Sequence, residues 1–209
     1  MIEVETRLRA ARGIAKCERE ASVKAFEQMK SRGNPEKPPA IVSDGHGGIR
    51  EALVEVYGEV PPYKGVGRPS EQKQPSDDWK YLQVVKEREG GRVVGVYKRV
   101  VYGDEQEVLA SVEAHTCYVE RSNLTSRHMN GRLVRKGLGF SKKLGAFEAS
   151  CIWEDLVYNL ARPLKTLRLE VHEEGRRWIP RSPAMAAGLT EYIWTIKEII
   201  THVPIPNNT

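Results

Sequence analysis

Cysteine is scarce in this sequence and nowhere paired. Cys17, Cys117 and Cys151 lie far apart, form no C-x-x-C pair and leave an odd number. Neither a disulfide framework nor a structural zinc site is indicated, and a reducing cytoplasm suits them. Long apolar runs are also missing: no stretch approaches the roughly 18 to 20 residues of a spanning helix, so no membrane partner is expected. The first residues, MIEVETRLRAAR, are too charged for a secretory signal. There is no internal repeat. One further absence is local: from Arg121 to Phe147 there is no Asp or Glu at all.

What is present reads as an ordinary soluble globular chain. Its 209 residues suit one domain, or one domain with a tail, and can bury a real core. The chain is 40% hydrophobic and 29% charged, with a net charge of +5 and a pI near 9.1. A modest basic excess favours anionic partners, nucleic acid first.

Periodicity supplies the elements. Ile2, Val4 and Leu8 around Glu5-Thr6-Arg7 predict a hairpin within Met1 to Lys16. Val23, Phe26, Met29 and Lys30 recur at helical spacing over Ser22 to Arg32, and Gly33-Asn34-Pro35 is the stop. Pro38-Pro39 introduces a short apolar strand, Ala40 to Ser43, ending in Asp44-Gly45-His46-Gly47-Gly48, and a helix is expected from Ile49 to Tyr57. Between Pro61 and Asp78 the Pro, Gly, Ser, Lys and Gln content predicts a loop or insertion. Tyr81 to Lys86 and Val93 to Val101 flank Gly90-Gly91, a hairpin signal. A short helix near Glu105 to Val112, a strand at Thr116 to Val119 and helices from Glu120 to Arg135 and Ser141 to Ala161 follow. One more helix is expected within Ser182 to His202. The order is a mixed α/β pattern.

Two carboxylates stand where chemistry is plausible. Asp44 sits at the carboxyl end of a strand entering a glycine-rich turn, where α/β sheets place ligands. The alternative is a turn or N-cap residue. Glu120 opens the acid-free stretch, in which Arg121, Arg127, Arg132, Arg135, Lys136, Lys142 and Lys143 supply seven positive charges. In a helix, Glu120, Asn123, Leu124 and Arg127 share a face. Phosphate-tracking cations beside one acid, or a dipole-complementing acid beside a solvated basic face, both fit. His46 can contact phosphate or simply occupy a surface turn. Trp79, Trp153, Trp178 and Trp194 are candidates for base stacking, with Trp153 expected in the core. Arg176-Arg177-Trp178 can track DNA or be solvated.

The run Y-V-E-R-S-N-L-T-S-R from Tyr118 and G-F-S-K-K at Gly139 to Lys143 resemble the end of the catalytic domain of insertion-sequence-one-type DDE transposases. Tyr158 to Arg168, Y-N-L-A-R-P-L-K-T-L-R, resembles it too. Ser43 to Gly47, S-D-G-H-G, is similar to that family's second acidic motif, and Ser182 to Thr190, S-P-A-M-A-A-G-L-T, to its C-terminal signature. The blocks follow the family order along nearly the whole chain.

The resemblance implies a ribonuclease-H-like (retroviral integrase-type) α/β fold, a mixed sheet flanked by helices. Residues 1–168 would form the DDE core with a β-hairpin insertion near 61–103, and 169–209 a C-terminal extension with one helix. It also implies a metal-dependent enzyme that cuts and joins DNA, with Asp44 as second acid and Glu120 as third. Two Mg²⁺ (or Mn²⁺) ions are expected on these carboxylates. Arg121, Asn123, Arg127, Arg132, Arg135, Lys136, Lys142 and Lys143 would face DNA. A homo-oligomer on paired DNA ends and a cytoplasmic, nucleoid-associated location are further expectations.

The family's first acid is an Asp shortly before a Thr-Arg or Thr-Lys pair. Here Glu3 stands three positions before Thr6, with Glu5 as the alternative. An extra methylene would disturb a metal site that tolerates only about 0.5 Å. Leu164 replaces a His common in the Tyr158 motif. The family's upstream end-reading region, zinc-binding or helix-turn-helix, is not represented, so a truncated or decayed copy acting as a DNA-binding remnant or regulator of transposition is the competing expectation.

Overall fold

A computed structural model describes residues 1–63, 65, 68–112, 116–134, 136–173 and 175–202. By contacts the chain divides into two compact units. One comprises Met1 and Ala11–Tyr118; the other comprises Ile2–Ala10 together with the chain from Val119 onward. Among the described residues the chain is mixed α/β, with seven α-helices, a three-stranded mixed sheet and a separate two-stranded hairpin. No described helix is long and apolar enough to cross a membrane.

In the first unit, α1 (Glu18–Arg32) and α2 (Gly47–Tyr57) pack on one another and on the sheet. Phe26 of α1, Leu53 and Tyr57 of α2, Trp79 and Tyr81 form the main core, each large side chain contributing about 1.5 to 3 kcal/mol by leaving water. Trp79 is only 2% exposed and meets Tyr57 and Tyr102 edge-on, at 6.5 and 5.7 Å between ring centroids. It is a core residue rather than a stacking platform.

The sheet runs β1 (Ile41–Asp44), β2 (Tyr81–Glu89), β3 (Arg92–Tyr102). β1 is parallel to β2, and β2 and β3 form an antiparallel hairpin. Gly90 and Gly91 both have positive φ, 54° and 82°, the conformation a two-residue turn requires and glycine alone adopts without strain. Tyr81 to Val84 are buried, whereas Lys86 to Glu89 and the facing part of β3 project into solvent. α3 (Glu105–Ser111) is capped by Asp104, which accepts the Glu107 N–H at 3.1 Å.

The second unit contains α4 from Val119 on, α5 (Leu144–Leu156), a π-turn at Val157–Ala161, the hairpin β4 (Leu169–Glu173) and β5 (Arg176–Ile179), α6 (Pro183–Ala186) and α7 (Ile196–Thr201). α4 spans Cys117–Met129. Residues 117–119, expected in a strand, are therefore helical: the β propensity of Tyr118 and Val119 is overridden by a helix they open. α4 also ends earlier than expected, passing into a 3₁₀ turn at Gly131–Leu133 that Asn130 caps. The C-terminal segment holds two short helices instead of one, and the β4–β5 hairpin was not expected from the sequence.

Candidate functional site

Asp44 is the last residue of β1, in register with Val84 of β2. It is exposed. Its Oδ1 accepts the His46 N–H at 3.3 Å, and His46, not Asp44, is the N-cap of α2. His46 itself is exposed and its Nε2 lies 2.7 Å from Glu18. Behind Asp44 runs a polar chain that sequence reasoning missed. Ser43 Oγ lies 2.8 Å from the Tyr81 hydroxyl, Gln83 Nε2 donates to the same hydroxyl at 2.8 Å, and Arg99 donates to Gln83 Oε1. Gln83 is 1% exposed, so its amide must be satisfied internally, and this chain does it. Burial pushes the Tyr81 phenol up; bonds to Ser43 and Gln83 oppose this, and the charge of Asp44 adds to it. A small alternation signal, polar Ser43 and Gln83 inside otherwise apolar strands, was the only trace in the sequence.

Glu120 stands in the first turn of α4, exposed, with Asn123, Leu124 and Arg127 exposed along the same face. The opposite face carries Ser122, Thr125, Ser126 and Met129, at i, i+3, i+4 and i+7, all more buried. The inward side is thus small and polar rather than apolar. Through Ser122 it meets Arg9.

Arg9 is 7% exposed. Its guanidinium donates to the Glu154 carboxylate, to Asp155 Oδ1 at 3.1 Å, to Ser122 Oγ at 3.1 Å and to the Ser122 carbonyl at 3.2 Å. It lies 3.9 Å from the centroid of the Tyr158 ring. Asn159 accepts the Arg9 N–H at 3.0 Å and donates to its carbonyl at 3.1 Å. A buried cation is tolerated only when paired and hydrogen-bonded, and every element of that condition is met here. The result ties the N-terminal turn to α4, α5 and the π-turn within the second unit. Trp153, expected in the core, is 40% exposed, because α5 turns Cys151 and Glu154 inward and the π-turn after it turns Tyr158 inward.

Glu3 lies six residues before Arg9. An isolated antiparallel bridge joins Ile2 to Arg9, but residues 4–6 form a turn and Arg7 has φ 60°. No strand runs through Glu3 and Glu5, so alternation does not place them on one face. Glu3 Oε1 accepts the Glu5 N–H at 3.1 Å, while Oε2 accepts the Thr6 N–H at 2.7 Å and the Thr6 hydroxyl. Partial burial pushes its carboxyl up, but the bonds from Thr6 and Glu5 and the charge of Arg7 outweigh this and hold it below its ordinary value.

Arg121, Arg127, Arg132, Lys136, Lys142 and Lys143 are all exposed, and Arg132 Nε donates to Ser141 Oγ at 2.8 Å. Arg135 lies outside the described residues. Among the described residues no group of three or more His, Cys, Asp or Glu could hold a metal ion. Asp44 belongs to the first unit, and Glu3 and Glu120 to the second. By donor chemistry Asp44 and Glu120, exposed carboxylates, suit a hard divalent cation. Glu3 suits it less well, since a cation there competes with the three hydrogen bonds of its turn. No protein-family model, curated protein or solved structure matches the chain.

Proposed function

We propose that the chain is the catalytic core of a DDE-type transposase that cleaves and joins DNA, with Asp44 and Glu120 as metal-holding carboxylates. The observation that carries this reading is α4. Glu120 is an exposed acid in the first turn of a helix whose outward face bears Asn123 and Arg127, followed by exposed Arg132, Lys136, Lys142 and Lys143 without one acid between. Such a surface attracts a phosphodiester backbone. A pair of divalent ions would supply charge neutralisation on the attacking and leaving oxygens of the phosphodiester. Asp44 and Glu120 would anchor them, and the cations after Glu120 would position the backbone. The ribonuclease-H-like assignment belongs to the same proposal. That fold has five strands, whereas among the described residues five strands divide into sheets of three and two, so it rests on motif order.

The test is nicking of supercoiled plasmid carrying the gene's own flanking DNA, with Mg²⁺ or Mn²⁺. Loss of about 100-fold or more is expected in both Asp44→Asn and Glu120→Gln. Unchanged nicking in the two variants would remove the site assignment. A second reading, a DNA-binding remnant or regulator of transposition, is favoured by the engagement of Glu3 in its own turn; it predicts DNA binding with no metal-dependent nicking.

A further inference from the structure

The β4–β5 hairpin carries a basic and aromatic arrangement that neither carboxylate uses. Glu170 is paired across the hairpin with Trp178, and residues directly opposite share a face, as do residues two apart on a strand. Arg168, just before β4, therefore falls on the face of Trp178. Its guanidinium carbon lies 3.8 Å from the centroid of the partly buried indole, which is stacking distance. Arg177 lies 5.3 Å from the same ring, but its Nε is held by Glu170 at 3.0 Å. The two arginines differ in what they have left to offer. Arg177 has an acid partner. The Arg168 side chain is exposed and, among the described residues, makes no hydrogen bond or ion pair, while the indole beneath its guanidinium limits where it can lie.

A guanidinium stacked through its face keeps its N–H donors at its edge, in the fork that matches a phosphate's two oxygens. Preorganisation by the indole also reduces the side-chain entropy lost on binding. We infer that Arg168, held against the Trp178 ring, is a phosphate-binding contact for duplex DNA, lying outside the carboxylates and the basic stretch that follows Glu120. The inference rests on the proposed DNA reading and adds a binding element to it. A phosphate contact carries no sequence information, so binding through Arg168 is expected to be indifferent to sequence.

The experiment measures binding of the full chain to a short duplex of arbitrary sequence by fluorescence anisotropy, in EDTA so that cleavage plays no part, over about 50 to 200 mM salt. Arg168→Ala is expected to weaken binding several-fold and to reduce the slope of log affinity against log salt by about 0.9, one phosphate contact. Trp178→Ala should weaken binding while leaving that slope nearer the parent's, since the charge remains. Arg168→Lys should keep the slope and recover only part of the affinity. Arg177→Ala, which removes an already paired cation, should change both less than Arg168→Ala does. Circular dichroism establishes that each variant is folded, and Arg168→Lys carries the comparison if the alanine variant is not. Parent-like affinity and slope in Arg168→Ala, with the unaltered chain binding normally, overturns this inference and leaves the transposase proposal standing. Failure of the unaltered chain to bind duplex at all overturns both. Binding that depends on Arg168 for phosphatidylserine vesicles but not for duplex overturns the choice of DNA as partner.

Discussion

Glu3 holds its own turn together with both carboxylate oxygens, and that commitment has a sign in pH. Its carboxyl is held below its ordinary value by Thr6, Glu5 and Arg7 against the opposing effect of burial. A depressed carboxylate contributes stability that is fully present above the unfolded-state value and is lost as pH falls through the folded one. Glu3→Gln is therefore expected to cost at most about 1 kcal/mol near neutral pH, because the group is exposed and screened. The difference from the parent should shrink to nothing in acid, below the carboxylate range. Urea unfolding at a series of pH values measures it; a difference that grows on acidification would show that the turn does not depend on the ionised form.

Among the elements, α4 is the one whose two faces carry different information. Its inward stripe is Ser122, Thr125, Ser126 and Met129; Ser122 accepts from the Arg9 guanidinium, and Ser126 is 6% exposed. Ser126→Leu is expected to overpack that side and cost about 1 to 3 kcal/mol. Leu124→Ser, on the outward face, should stay within about 0.5 kcal/mol. Thermal melts of the two variants decide it, and equal losses would mean the faces are assigned wrongly. This helix also shows where the sequence was readable and where it was not. The shared face of Glu120, Asn123 and Arg127 follows from helical spacing alone. Its first turn was missed because aromatic and β-branched residues at 118 and 119 read as a strand, and local propensity yields to packing. Gly90-Gly91 and Pro38-Pro39 marked β1, β2 and β3 because turn chemistry is local. β4 alternates apolar and polar residues, Leu169-Glu170-Val171-His172, but only over four positions, and β5 is as short and begins with two arginines, so neither stood out from loop. Asp44 was legible as a strand-end acid, but the Ser43, Tyr81, Gln83 and Arg99 chain behind it needs three strands brought side by side. Arg9 could not be found at all, since its partners lie in elements far along the chain.

At the scale of the whole molecule, the second unit is assembled from two separate pieces of chain. Residues 2–10 belong with the chain from Val119 onward, and Arg9 is the principal fastening. Arg9→Met removes the cation that pairs with Glu154, itself 3% exposed, and with Asp155, at a cost of about 3 to 5 kcal/mol. Deleting residues 1–10 should do at least as much harm. Hydrogen exchange locates the damage: protection is expected to fall in α4 and α5 and to persist in α1, α2 and the buried half of β2. An equal fall in both units would contradict the division.

That division also bears on the order of events as the chain emerges from the ribosome. The Arg9 contacts with Ser122, Glu154, Asp155 and Asn159 span separations of 113, 145, 146 and 150 residues. Closing a loop that long adds little to the entropy cost of a shorter one, because the cost grows only logarithmically. Timing is affected far more than stability. Residues 2–10 wait for partners that follow more than a hundred residues later, while 11–118 can gather their own core in the interval. Until the chain has been made through residues 154 and 155, Arg9 has no buried acid to meet, so the second unit is closed only after the segment between its two pieces has been made.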